Sequence, residues 1–202
     1  MNHDCINKIN ILNWVHTLAF SMFFKTRIET RYFEPIRLLQ KHGENKGEGF
    51  AIVALQCSLI EFLASTRTGK NFKLCKNREK DCGDYEYCKS KEVFIEFLED
   101  KHLFSTLFSD DDGTKAKDFY ENVRCPLLHE ARTKGNWKII ANCPNNDNKI
   151  IWVDEKTGEK ILYRNNLQKA FETYIDEYGK KLTKCKCLQA AFIRKFDNLC
   201  KE

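Results

Sequence analysis

The chain has 202 residues, of which 42% are hydrophobic and 31% are charged, and its formal net charge is +5. This length is enough to bury a core as one globular domain, and the three prolines and nine glycines exclude long disordered linkers. The mild positive charge is compatible with a nucleic-acid partner, although many proteins without such a partner share it.

The first apolar stretch, residues 6–24, raises the question of a signal peptide or a membrane anchor. Polar residues interrupt it, its basic residues follow the apolar part instead of preceding it, and no small-residue cleavage site comes next. We therefore expect an N-terminal helix within residues 1–29 of a soluble, cytoplasmic protein that has no membrane partner.

Two further helices are predicted because apolar residues recur at helical spacing in Thr30–Lys41 and in Phe50–Ala64. The glycine-rich sequence GENKGEG separates them, so we expect an antiparallel pair. Glu61 lies near the apolar face of the second helix. It is either a carboxylate at the rim of that face or a group that acts across the bundle, where it orients one of two residues later in the chain, Arg124 or His129.

The segment 66–90 is polar and rich in lysine, and it has no clear period, so it is predicted to be a long loop. A third helix is predicted at Glu92–Leu107, followed by an acidic turn at Ser109–Asp112. That turn lacks the ligand offsets of an EF-hand, so no metal is expected there. A short helix, Lys115–Val123, leads to the next motif.

The sequence FYENVRCPLLHEARTKGNW, residues 119–137, contains Arg124 and His129 five positions apart. An imidazole moves protons near neutral pH, and a guanidinium holds a phosphate with a fixed fork of donors. Because Pro126 suits the first turn of a helix, we predict that a helix begins at Cys125 or Pro126. Both motif residues would then border a helix N-terminus, which attracts anions, and the pair suits chemistry on a phosphodiester.

The segment RCPLLHEARTKGNWKI resembles the signature region of the HEPN superfamily, small helical proteins in which an Arg and a His four to six residues later mark many endoribonucleases. The resemblance extends more loosely to YFEPIRLLQ and GEGFAIVALQCSLIEFLAS, and so covers about residues 30–180. It implies a metal-independent endoribonuclease of a defence or toxin system, with RNA as substrate, no cofactor, a homodimeric assembly and an antitoxin or other defence protein as partner. In that reading His129 activates the ribose 2′-hydroxyl or protonates the leaving oxygen, and Arg124 stabilises the phosphate.

Three features keep alternatives open. The family often has Asn, Asp or His directly after the Arg, whereas this chain has Cys125, and a thiol is a poor hydrogen-bond partner. This favours a non-catalytic module that binds a nucleotide, RNA or a protein. Arg132 and Lys134 either hold flanking phosphates or simply aid solubility. Arg37 and His42 have the same spacing as the motif, so a helical interaction protein with an accidental motif is the third reading.

Ten cysteines are many for a protein without a secretory signal, and disulfides are disfavoured in a reducing cytosol. Cys75, Cys82 and Cys88 lie in the polar segment, while Cys185 and Cys187 flank one lysine. None of these spacings has the paired CxxC of a zinc ribbon. We expect scattered free thiols and assign no metal ligand, and a structural zinc site remains the alternative.

After the motif, the spacing of the apolar residues changes from helical to alternating, which is typical of strands. Short strands are predicted at Trp137–Ala141, Lys149–Val153 and Lys160–Tyr163, with a turn built around Thr157 and Gly158. A helix follows from Asn165 or Asn166 to Gly179, and a last helix runs from about Lys181 to Leu199.

The predicted fold class is mainly α, a HEPN-like helical bundle with a small antiparallel β-sheet appended after the motif helix. We expect one domain, residues 1–202, with four parts in chain order: an N-terminal helix at 1–29, a helical core with the motif at 30–134, a β-meander at 135–164 and C-terminal helices at 165–202.

Overall fold

The computed structural model of the protein describes residues 18–44, 47–75, 82–100, 104, 108 and 115–201. The predictions for residues 1–17 and for the acidic turn at 109–112 lie outside these ranges. Within them the protein is mainly helical and carries two small sheets, which confirms the predicted class at that level.

The first helical run, α1, continues from residue 19 to residue 42 without the break expected near residue 29. It comprises Ala19–Lys25, Thr26–Ile28, Glu29–Phe33 and Glu34–His42, of which the first and third are π-helical. Its first four buried residues, Phe20, Phe24, Ile28 and Phe33, are spaced four, four and five positions apart, and Ile36 is buried three positions later. The wider π turns keep this spacing on one face, because their hydrogen bonds join residues five apart.

The second helix, α2, spans Glu48–Thr68 and lies at the centre of the bundle, with ten buried residues. It ends at Gly69, whose φ of 67° is left-handed. Among the described residues it is the one helix that is long and apolar enough to cross a membrane, and 56% of that apolar window is buried inside the protein. Burial on several sides is typical of the core helix of a soluble bundle.

The segment predicted to be a loop contains two very short strands, β1 at Asn71–Phe72 and β2 at Glu86–Tyr87, which pair in parallel. Strands of two residues have no period that a sequence reading can detect. The next helix, α3, covers Ser90–Glu99 and ends before Asp100, earlier than predicted.

The motif helix, α4, is built from Lys115–Phe119, a π-helical turn at Tyr120–Arg124 and Cys125–Glu130. Two later helices complete the bundle: α5 at Arg164–Leu182 and α6 at Lys186–Leu199.

Three strands lie close to the predicted positions: β3 at Trp137–Ile140, β4 at Ile151–Val153 and β5 at Lys160–Tyr163. Their order, β3-β5-β4, shows that the predicted antiparallel meander is wrong, since β3 pairs with β5 in parallel and only β4 is antiparallel to β5. β5 is the central strand, so both of its edges are paired. Three of its four residues are buried, as expected for a central strand. The predicted turn is confirmed: the amide of Gly158 donates to the carbonyl of Asp154 at 2.8 Å.

Gly179 does not end α5 as predicted, because the helix continues to Leu182. A Cβ added at Gly179 would lie 2.5 Å from Cε1 of Phe20 on α1. The glycine therefore allows two helices to approach closely, and it is not a terminator.

Candidate functional site

Arg124 is the last residue of the π-helical turn of α4, and its φ of −59° and ψ of −51° are helical. The predicted helix start at Cys125 or Pro126 is therefore wrong, and no free helix N-terminus borders the motif. Pro126 fits inside the helix although it has no amide hydrogen. The carbonyl of Asn122, four residues before it, instead accepts the amide hydrogen of Lys134 at 2.8 Å.

The Arg124 guanidinium is held by side chains from two other elements, α2 and α3. Its Nη2 donates to Oε2 of Glu61 on α2 at 3.4 Å and to Oγ of Ser90 at the start of α3 at 3.3 Å. The Tyr87 hydroxyl, from β2, donates to the other oxygen of Glu61 at 3.2 Å. The Tyr120 hydroxyl lies 3.0 Å from Ser90 Oγ, and its ring lies 5.1 Å below the guanidinium. We call Glu61, Tyr87, Ser90, Tyr120 and Arg124 the Arg124 cluster.

Burial and neighbouring charges together determine the protonation states in the Arg124 cluster. It lowers the pKa of Arg124, but Tyr120 and Glu61 outweigh this effect, so the pKa is raised overall and the guanidinium stays charged. Burial also raises the pKa values of Tyr87, with a further contribution from Glu61, and of Tyr120. Both phenols therefore stay protonated, and the Tyr87 hydroxyl donates its hydrogen to Glu61.

Two thiols lie beside the Arg124 cluster. Cys125 is half-buried, and its thiol interacts with the side chains of both Tyr120 and Arg124. Cys57 is buried in α2, and burial raises its pKa to about 12, so it is not a nucleophile.

His129 lies in the last turn of α4 and is exposed to solvent. Five residues of helix place it about 140° around the axis from Arg124. Within the described part of the chain, no hydrogen bond or ion pair joins these two side chains. One copy of the protein thus presents a half-buried guanidinium and an exposed imidazole on different sides of one helix.

The predicted phosphate-binding residues, Arg132 and Lys134, are exposed and share one acidic partner. Arg132 Nη2 lies 2.5 Å from Oε2 of Glu130, and Lys134 pairs with Oε1 of the same carboxylate. These hydrogen bonds, first from Lys134 and then from Arg132, lower the pKa of Glu130. A phosphate that binds here has to compete with that carboxylate.

The sequence reading missed the residue that fixes the sheet to the motif helix. Asp118 on α4 accepts hydrogen bonds from Trp137 Nε1 at 2.8 Å, from Lys160 Nζ at 2.7 Å and from Asn122 Nδ2 at 2.8 Å. Trp137 begins β3 and Lys160 begins β5. Only the spacing of four between Asp118 and Asn122 was visible in the sequence, and it is common on helices.

The second Arg and His pair occupies a different setting. Arg37 forms an ion pair with Glu29 on its own helical run, and His42 is exposed at the end of α1. No other element of the described chain holds Arg37 as Glu61 and Ser90 hold Arg124.

One group of potential metal ligands stands out among the described residues: the sulfur atoms of Cys75, Cys82 and Cys88 all lie within 4.8 Å of one another. These three thiols are free, as expected, but they are clustered and not scattered. The resemblance to the HEPN superfamily is carried by the sequence motif, since a mainly helical fold is common to many families. No family model, no curated protein and no solved structure matches this chain.

Proposed function

We propose that this protein is a HEPN-like endoribonuclease whose reaction uses no metal ion. The observation that supports it best is the contrast along α4. Arg124 is held in place by Glu61 and Ser90, while His129 is exposed to solvent five residues later, ahead of the basic residue Arg132.

In the proposed reaction His129 accepts the proton of the ribose 2′-hydroxyl, and the 2′-oxygen attacks the adjacent phosphorus. The bond from phosphorus to the 5′-oxygen breaks, which leaves a 2′,3′-cyclic phosphate and a 5′-hydroxyl. Arg124 stabilises the charge that develops on the phosphate. Its bonds to Glu61 and Ser90 both use Nη2, so donors on Nη1 and Nε can face a phosphate oxygen.

A homodimer would complete this site. The 2′-hydroxyl loses a proton while the leaving 5′-oxygen gains one, and one imidazole cannot act as base and acid in the same step. Arg124 and His129 also point to different sides of α4. We propose that two motif helices face each other, so that one cleft contains both groups from each copy.

The proposal is tested by incubating the full-length protein with mixed RNA in the presence of EDTA and analysing the fragment ends. We expect cleavage to continue and to leave 2′,3′-cyclic phosphates, because His129 acts on the 2′-hydroxyl directly. DNA, which lacks that hydroxyl, should remain intact. Activity that is lost with the chelator and restored by Mg²⁺ or Mn²⁺ would rule this mechanism out.

A non-catalytic RNA-binding module is the second candidate, and the surroundings of Arg124 favour it. The guanidinium already has a carboxylate partner in Glu61, and the neighbouring Cys125 offers only a weak hydrogen-bonding group. In that case the protein binds RNA in a gel-shift assay, and no cyclic phosphate ends form at any protein concentration.

A further inference from the structure

Among the described residues next to β1 and β2, 71–75 and 82–88, few apolar side chains are buried. The two parallel strands share a ladder of two residues, and a ladder this short is only marginally stable. Leu74 is 88% exposed and Phe72 is also exposed, although the Tyr85 ring lies 3.9 Å from the guanidinium of Arg194. A metal ion would add a further link that holds this lysine-rich excursion together.

Three cysteines lie at the points where such a link would act. Cys75 follows β1, Cys82 lies on the return towards β2, and Cys88 comes directly after β2. Their sulfur atoms lie within 4.8 Å of one another, and those of Cys75 and Cys82 are 3.0 Å apart. Residues distant along the excursion therefore place three soft ligands around one point.

We propose that Cys75, Cys82 and Cys88 bind one Zn²⁺ ion. Zinc takes thiolate ligands at about 2.3 Å in tetrahedral geometry, which puts two bound sulfurs about 3.8 Å apart. The sulfurs of Cys75 and Cys82, which are 3.0 Å apart, have to move slightly apart to reach this spacing. Water fills the fourth position, because all three cysteines are only half-buried.

The donor set and the surrounding charge favour zinc over harder cations. Thiolates select zinc, whereas Mg²⁺ and Ca²⁺ prefer oxygen ligands. Binding replaces the thiol protons with the metal and leaves a net charge of one negative unit on the site. Lys89 interacts electrostatically with Cys88 and offsets part of that charge, and Lys73, which also pairs with Glu86 at 2.8 Å, does so with Cys75 and Cys82.

The zinc ion would also position the Arg124 cluster. Cys88 lies between Tyr87, which donates to Glu61, and Ser90, which accepts from Arg124. A metal that fixes Cys88 therefore fixes the start of α3 against the motif helix. The ion takes no part in the proposed RNA cleavage, and the zinc site does not depend on that function.

The test measures zinc content and the Co²⁺ spectrum of the purified full-length protein, without RNA. We expect one zinc per chain, and a thiolate-to-cobalt charge-transfer band after exchange. Cys88→Ser should weaken zinc binding by roughly 100-fold, since one of three ligands is lost. Cys82→His, which keeps a zinc ligand, should retain binding with an altered cobalt spectrum, and it decides the question if Cys88→Ser fails to fold.

The matched control is the double variant Cys185→Ser with Cys187→Ser, because both residues are exposed and lie outside the group of three. It should bind zinc as the wild type does. A wild-type protein that binds no zinc would overturn the proposal, as would a control that loses zinc to the same extent as Cys88→Ser. A disulfide between Cys75 and Cys82 in the freshly purified protein, seen as a mass lower by two hydrogens, would overturn it as well.

Discussion

Arg124 brings a permanent positive charge into a part of the bundle where its side chain is only 18% exposed. Glu61 compensates that charge, and the Tyr87 hydroxyl satisfies the second carboxylate oxygen. When one partner of such a pair is removed, the other remains partly buried without its counter-charge. We therefore expect Arg124 to contribute to stability as well as to the proposed reaction, and the exposed His129 to contribute to the proposed reaction alone.

The motif is tested against the pair with the same spacing. His129→Ala should abolish RNA cleavage and change the free energy of unfolding by less than about 0.5 kcal/mol, because the side chain is exposed. Arg124→Ala should also abolish cleavage, and it should destabilise the protein by roughly 1–3 kcal/mol because Glu61 loses its partner. His42→Ala and Arg37→Ala should leave cleavage intact. Cleavage assays and urea unfolding of all four variants give the comparison.

A substitution at Cys125 is expected to increase RNA cleavage in the same assay. Cys125→Asn should raise activity, because an amide supplies a stronger hydrogen-bonding group beside Arg124 than a thiol does. The functional assignment fails if the variants at 124 and 129 cleave like the wild type. It also fails if all four variants lose activity only in proportion to lost folding.

Lys195 on α6 is a buried cation whose charge affects stability. Its side chain is 7% exposed, its Nζ donates to the carbonyl of Lys70 at 3.3 Å, and burial lowers its pKa from 10.5 to about 8. The unfolded chain therefore binds more protons than the folded protein between these two values. The stability of the wild type should rise with pH across that range.

Lys195→Met removes this pH dependence. At pH 7 both states of the wild type are charged at Lys195 and the full penalty of burial applies, about 3 kcal/mol for the pKa shift. The variant should be the more stable protein at pH 7, and its advantage should shrink as the pH rises from 8 to 10.5. Urea unfolding of both proteins across this range is the measurement. Stability curves that stay parallel would contradict the prediction.

At the scale of the elements, the bundle depends on close contacts that single residues permit. The π turns of α1 keep Phe20, Phe24 and Phe33 on one face, and Phe20 then packs directly over Gly179 on α5. Asp118 holds the sheet against α4, since it accepts hydrogen bonds from the first residues of β3 and β5. These contacts decide how helices and strands approach one another.

Two helical glycines give a matched pair of substitutions. Gly179→Ala should destabilise the protein by about 1–3 kcal/mol, because the new methyl group overlaps the Phe20 ring and forces α1 away from α5. Gly49→Ala on α2 should be neutral or stabilising by up to about 1 kcal/mol, since the nearest atom, Ile139 Cγ2, is 3.6 Å away. Thermal unfolding of both variants tests this, and equal effects would contradict it.

At the scale of the whole molecule, one copy of the protein exposes several large apolar side chains. In the proposed reaction one copy also provides only one imidazole, where an acid and a base are both needed. Met22 and Phe23 of α1 are exposed, and Leu128 is exposed directly beside His129. The last of these is the position that a facing motif helix would cover in the proposed dimer.

Leu128→Asp should therefore convert the dimer to a monomer and reduce RNA cleavage, because a carboxylate would be buried in the interface without a partner. Leu38→Asp on α1 is the matched control, since Leu38 is 54% exposed and Leu128 is 52% exposed. Light scattering at micromolar concentration reports the mass of each variant. A wild-type monomer with full activity would count decisively against a composite cleft.

Local patterns in the sequence were enough to predict most of the helices, the three strands after the motif and the turn at Thr157 and Gly158. Such features depend on neighbours a few residues away, so the period and the turn residues specify them. Spacing and residue type also singled out Arg124, His129 and Glu61, and in the structure Glu61 lies against Arg124. The proposed RNA cleavage is an inference from these residues and from the HEPN resemblance.

The tertiary structure alone decided which distant residues meet. It placed β5 between β3 and β4, matched Gly179 to Phe20 and gathered Cys75, Cys82 and Cys88 around one point. The helix α4 also continues through Pro126. Proline has no amide hydrogen for the carbonyl of Asn122, and the amide of Lys134 donates to that carbonyl instead. Each of these outcomes depends on a contact between residues separated along the chain, and no local period of the sequence encodes such a contact.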